Sequence, residues 1–181
     1  MNLGHTNKSQ HGSIEVKSKI GDQLINIMKL SQSDVVLDAG SGDGYYSFRF
    51  AEHCAKVVAI DMRNDGFKSQ FYLKPNIEAI NADVCNWIIN NNLNKITHVF
   101  FSNSFHDMKC QREILSALSQ KLPNEANIVM IEFYPETSFG PPKSIRFSKE
   151  ELKSKVEAFG FMEKNFFDLN THYLILFKKA K

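Results

Sequence analysis

Acidic residues and glycines alternate in a short stretch that directly follows an apolar run. The stretch is Asp38-Ala39-Gly40-Ser41-Gly42-Asp43-Gly44, and the run is Val35-Val36-Leu37. Glycines at this spacing permit a tight turn in which the backbone can approach a ligand closely. A second apolar run over 57–60 ends on Asp61, about 20 residues further on, where an acid can hold a ribose. The pattern predicts a pocket for a nucleoside-bearing cofactor.

The charge of the loop favours a cofactor that carries no phosphate. A dinucleotide fingerprint would have a further glycine where Tyr45 stands. Asp38 and Asp43 lie in the same loop, and two like charges about 4 Å apart repel by about 4 kcal/mol at an effective dielectric of 20. S-adenosylmethionine suits such a loop, because it has a sulfonium, an ammonium and no phosphate. A nicotinamide-dependent oxidoreductase is the alternative that a glycine loop leaves open.

With these motifs the chain resembles the class I S-adenosylmethionine-dependent methyltransferases over nearly all its length. The likeness rests on Asp38–Gly44, on Asp61 and on Asp83 in Asn81-Ala82-Asp83-Val84. It implies that the loop wraps the methionine part, that Asp61 holds both ribose hydroxyls and that Asp83 meets the adenine amino group. Capping of a following helix is the simpler reading of Asp61 and Asp83. The residues expected to bind the cofactor are Asp38, Ala39, Gly40, Ser41, Gly42, Gly44, Asp61, Met62, Asp83, Val84 and Asn103.

The segment Ser102–Met108 and the later Gly140-Pro141-Pro142 are similar to those of small type 11-related methyltransferases. Asn103-Ser104-Phe105-His106 stands where some members of the class have Asn-Pro-Pro-Tyr for amide or exocyclic amine nitrogens. His106 is the candidate catalytic base, because an ordinary imidazole pKa near 6.5 lets it take up a proton at neutral pH. Alternatively, His106 and Asp107 cap a helix and do no chemistry.

We therefore expect a methyltransferase that acts by in-line displacement on a small-molecule acceptor. The net charge is only +2, and the basic residues near Lys149 are interleaved with Glu150 and Glu151, so no nucleic-acid surface is expected. An RNA or protein methyltransferase, and a non-catalytic cofactor-binding subunit of a methyltransferase complex, remain as alternatives. Neither the methyl acceptor nor an oligomeric state follows from the sequence.

Composition indicates an ordinary soluble domain. Of 181 residues, 43% are hydrophobic and 23% charged, and no apolar run is long enough to span a membrane. The polar N-terminus lacks a signal-peptide core, which favours a cytoplasmic location. Cys54, Cys85 and Cys110 are scattered and odd in number, which favours reduced thiols. His5 and His11 are isolated, so no metal site is expected.

Alternating strands and helices predict an α/β fold with a flexible tail over 1–13 and a single methyltransferase domain over 14–181. Likeness to the class implies a Rossmann-like doubly wound sheet of order 3-2-1-4-5-7-6 with strand 7 antiparallel. Asn170 and Thr171 separate the last two strands, which predicts a hairpin. The strands are expected over 34–39, 56–61, 77–82, 96–102, 128–133, 161–169 and 172–178. Helices are expected over 14–29, 44–53, 63–72 and 108–121, after Asp83, and from a capping box of Ser148 and Glu151 to a stop at Gly160.

Overall fold

The structure, a computed structural model, describes residues 20–180, so the predicted tail over 1–13 lies outside the described residues. Within them, the strands are β1 (Val35–Ala39), β2 (Lys56–Asp61), β3 (Ile77–Asn81), β4 (His98–Ser102), β5 (Asn127–Phe133), β6 (Phe161–Asp168) and β7 (His172–Lys179). The α-helices are α1 (20–28 as far as it is described), α2 (Tyr45–Ala51), α3 (Val84–Asn90), α4 (Gln111–Lys121) and α5 (Lys149–Glu157). No described helix is both long and apolar enough to cross a membrane.

All seven strands belong to one sheet in the order β3-β2-β1-β4-β5-β7-β6. β7 runs antiparallel to β5 and β6, and the other neighbours are parallel. This confirms the predicted order and the closing hairpin, whose turn places Asn170 at a φ of 70°. The order reverses between β1 and β4, so the carboxyl ends of these two strands flank the crevice where ligands bind in open α/β sheets.

The central strands are buried on both faces, as parallel strands between two helical layers must be. Successive side chains of a strand point to opposite faces. Val36 and Phe100 pack with α1 and α2, whereas Leu37, Val99 and Phe101 pack with α3, α4 and α5. The sheet is therefore a rigid platform whose loops at one edge are free to build a site.

Two of the local signals acted as predicted near the end of the chain. The Ser148 hydroxyl accepts from the Glu151 N–H, and the Glu151 carboxylate accepts from the Ser148 N–H, which completes the capping box that begins α5. Gly160, predicted to stop that helix, has a φ of 83° and leads directly into β6. Both features depend on neighbouring residues alone.

The predicted helix over 63–72 is wrong in type. The structure has two short 3₁₀ helices there, Gly66–Lys68 and Gln70–Leu73, and Ser69 caps the second by accepting from the Phe71 N–H. A Cβ on Gly66 would lie 2.0 Å from the carbonyl oxygen of Gly42. The segment is therefore pressed against the glycine loop, and that tertiary contact overrides its weak helical pattern.

The expectation that all three cysteines are reduced is also wrong. A disulfide joins Cys85 in the first turn of α3 to Cys110 at the N-cap of α4, and Cys54 is a buried free thiol. The two bonded cysteines are 25 residues apart in sequence, a distance at which no motif signals pairing. The sheet brings them together, because α3 and α4 pack side by side on one face.

Replacing Cys85 or Cys110 by serine should lower the free energy of unfolding by about 3 kcal/mol, because opening a 25-residue loop restores chain entropy to the unfolded state. Urea denaturation of oxidised protein measures the loss. Under a reducing agent the wild type and either variant should unfold alike. A wild type that is equally stable oxidised and reduced would contradict the expectation.

Candidate active site

A cavity of about 910 Å³ opens where β1, β2, β3 and β4 end. Its lining residues are Asp38, Gly40, Ser41, Gly42, Asp43, Tyr46, Asp61, Met62, Arg63, Asp83, Val84, Cys85, Ser102, Asn103, Ser104, Asp107, Met108 and Lys109. Five of them are aspartates and two are cations, which gives a formal charge of −3 when every aspartate is ionised. The cavity therefore attracts positive ligands and repels phosphate.

The glycine loop exposes its backbone to this cavity. Gly40, Gly42 and Gly44 all have positive φ, between 57° and 86°. A Cβ on Gly40 would lie 2.6 Å from the Cβ of Ser104, so only glycine fits there. A Cβ on Gly42 would meet nothing within 4 Å, which leaves its backbone open to a ligand. The loop has the geometry of a cradle for a small polar group.

Asp61 fastens the end of β2 to the glycine loop. One carboxylate oxygen accepts from the Gly42 N–H at 2.8 Å, and the other accepts from the Arg63 N–H at 2.8 Å. The residue is 8% exposed and lines the cavity. No α-helix follows it, so the alternative of a helix cap does not apply. Each carboxylate oxygen has a second acceptor position, which suits a pair of ligand hydroxyls.

Asp83 lines the cavity and also caps α3. Its Oδ1 accepts from the Asn86 N–H at 2.8 Å, so the capping alternative describes part of its role. Met62, which is 69% exposed, and Val84 also line the cavity. These apolar side chains beside a carboxylate offer surfaces for a flat ring that carries an amino group.

Asp38 is the most deeply buried carboxylate of the cavity, at 2% exposure. The Ser47 hydroxyl donates to its Oδ2 at 2.6 Å. Burial raises the pKa of Asp38 to about 7, and the Ser47 hydrogen bond only partly opposes that rise. Asp38 therefore changes its charge near neutral pH, and a cation bound beside it would favour the ionised form.

Because a bound cation favours ionised Asp38, affinity for S-adenosylmethionine should rise about tenfold between pH 5.5 and pH 7, with proton release on binding. Calorimetry in two buffers of different ionisation enthalpy measures both quantities. Asp38→Asn should bind more weakly and lose most of this pH dependence. An affinity of the wild type that does not change over this range would contradict the assignment.

Two residues behind the glycine loop were missed by the sequence analysis. The Tyr72 hydroxyl donates to the Ser41 hydroxyl oxygen at 2.8 Å and to the Gly42 carbonyl oxygen at 3.0 Å. A Cβ on Gly44 would lie 2.6 Å from the Tyr72 ring, and Gly66 packs on Gly42 as described above. The turn-forming run Asn64-Asp65-Gly66 was a signal for close backbone contact here, whereas nothing local identifies Tyr72.

Asn103 begins the segment that follows β4. It has a φ of 51°, a value more common for asparagine than for most residues, and its Oδ1 is buried without a hydrogen-bond partner among the described residues. Ser104 donates to the carbonyl oxygen of Ala39, which ties this segment to β1. Asn103 and Ser104 both line the cavity, so Asn103 presents an unused acceptor at its wall.

His106 does not line the cavity. Its Nδ1 lies 2.5 Å from Oε2 of Glu132, a residue of β5 that is 1% exposed. Burial lowers the pKa of His106, but the hydrogen bond and negative charge of Glu132 outweigh that effect and raise it above its ordinary value. Direct contact between His106 and a methyl acceptor stays a prediction, and this geometry favours a role through a neighbour.

The comparison with known proteins agrees with this geometry. The model of the family described as ribosomal RNA adenine dimethylase matches residues 4–143, which is most of the chain. The chain belongs to the ribosomal RNA adenine dimethylase family. That family consists of S-adenosylmethionine-dependent methyltransferases, so membership confirms the methyltransferase class inferred from the loop and its acids, and the cofactor.

The curated relatives match this chain over only a short segment. The 23S rRNA (uracil(1939)-C(5))-methyltransferase RlmD of Legionella pneumophila is 35% identical over 57 residues, which are 32% of this chain and 13% of the relative. The chain thus spans a small part of the length of the curated proteins it matches.

Solved structures reproduce the fold of this family member. A SAM-dependent methyltransferase from Aquifex aeolicus has a TM-score of 0.77 at 19% identity, with 88% of this chain and 89% of that chain covered. A protein described as a type 11 methyltransferase, from Sulfolobus solfataricus, has a TM-score of 0.74 at 22% identity, with 88% and 91% covered. At these identities the likeness shows the Rossmann-like methyltransferase fold.

Proposed function

We propose that this methyltransferase acts on a small acceptor that is not a polyanion. The observation that carries the proposal is the charge of the cavity wall, which contains five aspartates and only two cations. Elsewhere on the described surface, three of the lysines are paired with carboxylates: Lys56 with Glu78, Lys149 with Glu163 and Lys178 with Glu125. A phosphate backbone needs several available cations, and this opening offers carboxylates instead.

The residues of the cavity fit S-adenosylmethionine as cofactor. When bound, it supplies a methyl group on a sulfonium, and the thioether that remains after the transfer is uncharged. The open backbone of Gly42 would hold the methionine part, Asp61 the ribose hydroxyls, and Asp83 with Met62 and Val84 the adenine. Much of the rate of an in-line displacement comes from alignment of donor and acceptor at about 3–3.5 Å. A wall fixed by hydrogen bonds, as here, provides that alignment.

Methylation of RNA is the second candidate, and family membership favours it. The family that matches this chain and the relative RlmD are both described as methyltransferases of rRNA. Against it, Asn103-Ser104-Phe105-His106 replaces the Asn-Pro-Pro-Tyr pattern for exocyclic amine nitrogens. In addition, Phe105 is fully buried and His106 points away from the cavity, so neither offers a ring on which a base could stack.

Labelled methyl transfer in cell extract distinguishes the two candidates. Purified protein is incubated with methyl-tritiated S-adenosylmethionine and extract, which is then separated into small molecules, RNA and protein. We expect label in a small-molecule product that is chromatographically separated from the unreacted donor, and far less of that product when Asp61→Ala replaces the wild type. Label in RNA that is removed by ribonuclease would overturn the proposal in favour of the second candidate. Cofactor binding without transfer to any fraction would favour a non-catalytic subunit.

A further inference from the structure

The imidazole of His106 lies between two carboxylates of very different exposure. Its Nδ1 is 2.5 Å from Oε2 of Glu132, and its Nε2 is 3.6 Å from Oδ2 of Asp107. The Glu132 side chain is 1% exposed, the His106 side chain 3% and the Asp107 side chain 67%. Asp107 lines the cavity, whereas the other two do not. A buried pair is thus connected to the cavity through one exposed carboxylate.

The folding of this segment explains the arrangement. Phe105–Asp107 form a single 3₁₀ turn, in which Phe105 is buried and the backbone N–H of His106 also donates towards Glu132. The turn leaves consecutive side chains on different sides, so His106 faces β5 while Asp107 faces the cavity. The Arg146 guanidinium is the other charged group near His106, and its charge opposes protonation.

This inference rests on the proposed function. We propose that Asp107 accepts a proton in the reaction and that the methyl acceptor is a small amine. His106 and Glu132 are positioning residues that act through Asp107. The amine is attracted as an ammonium, because the cavity keeps a negative charge even after a cofactor of net charge +1 is bound. An ammonium has no free electron pair, so it must lose a proton before it can attack a methyl group.

The proton and electron balance is complete within these groups. Asp107 takes one proton from R–NH3⁺. His106 keeps its own protons: Glu132 holds its Nδ1, and its Nε2 lies 3.6 Å from Asp107 and orients that carboxylate. The free electron pair of R–NH2 then forms the N–C bond, and the electron pair of the C–S bond remains on sulfur. The exposed Asp107 side chain returns the proton to solvent.

Sinefungin is a probe that needs no knowledge of the acceptor. In this analogue a carbon bearing an ammonium replaces the sulfonium and its methyl, so a cation stands at the transfer position. S-adenosylhomocysteine is the matched ligand without that cation. We expect Asp107→Asn to weaken sinefungin binding about tenfold and to leave S-adenosylhomocysteine binding within twofold, as measured by calorimetry. Glu113→Gln neutralises an exposed side chain of α4 outside the cavity and should change the affinity for neither ligand.

A second measurement tests the link to His106. Its imidazole proton signal, assigned by its loss in His106→Asn, should titrate at lower pH in Asp107→Asn than in the wild type. An equal loss of both ligands, no change in either, or an unchanged His106 titration would overturn the inference. A wild type that binds neither S-adenosylhomocysteine nor S-adenosylmethionine would instead overturn the proposed function, so the two failures can be told apart.

Discussion

Asp61→Ala is expected to weaken binding of S-adenosylmethionine about a hundredfold, the largest effect on binding of any single change in the cavity. The change removes the proposed acceptor for two ligand hydroxyls and frees the Gly42 N–H that the carboxylate now holds at 2.8 Å. Leaving buried donors unpaired costs about 1–3 kcal/mol for each, and about 3 kcal/mol is a hundredfold in affinity. Calorimetric titration of the purified variant measures the loss.

Two further variants control this result. Asp65→Ala removes an exposed carboxylate four residues away, outside the cavity lining, and should bind as the wild type does. Asp61→Asn keeps one oxygen acceptor and should fall between the wild type and Asp61→Ala. A dissociation constant for Asp61→Ala within threefold of the wild type would place the ribose elsewhere.

Arg146→Ala is expected to lower the free energy of unfolding by about 3–5 kcal/mol. The guanidinium is 9% exposed and donates to the backbone carbonyls of Tyr134, Pro135, Thr137, Phe139 and Pro141. It also lies over the Phe133 ring at 5.5 Å. Hydrogen bonds from a charged group contribute about 1.5–3 kcal/mol each when buried, and part of the loss is recovered as the loop takes up water.

Urea denaturation followed by circular dichroism measures this loss, with Arg112→Ala as the control. Arg112 is exposed on α4 and should change stability by less than about 0.5 kcal/mol. Arg146→Lys should be almost as harmful as Arg146→Ala, because an ammonium cannot reach carbonyls on several sides at once. A loss below 1 kcal/mol for Arg146→Ala would mean that the 134–147 loop holds its shape without the guanidinium.

The parts of the molecule that the sequence predicted well are those determined by local chemistry. Continuous apolar runs defined the central strands, the Ser148 capping box defined the start of α5, and glycines at alternate positions defined the loop after β1. Such signals depend on residues a few positions apart, so they can be read without knowledge of the fold. Strand order came from likeness to a family, since no local pattern specifies it.

What the sequence did not predict depends on contacts between distant segments. The arginine that organises the Gly-Pro-Pro loop, the disulfide between Cys85 and Cys110, and the support of Gly42 by Tyr72 all join separate segments. His106 was singled out as a base because of its residue type, yet its orientation is set by Glu132, 26 residues away on β5. Burial of that glutamate could be recognised only once β4 and β5 were seen to be neighbours.

Calorimetric titration of the wild-type protein with S-adenosylmethionine and with NADPH tests most directly whether carboxylates select the cofactor. We expect saturable binding at one site for S-adenosylmethionine, and no heat of binding for NADPH because its pyrophosphate would face Asp38, Asp43 and Asp61. Saturable binding of NADPH together with no binding of S-adenosylmethionine would contradict the assignment of this cavity.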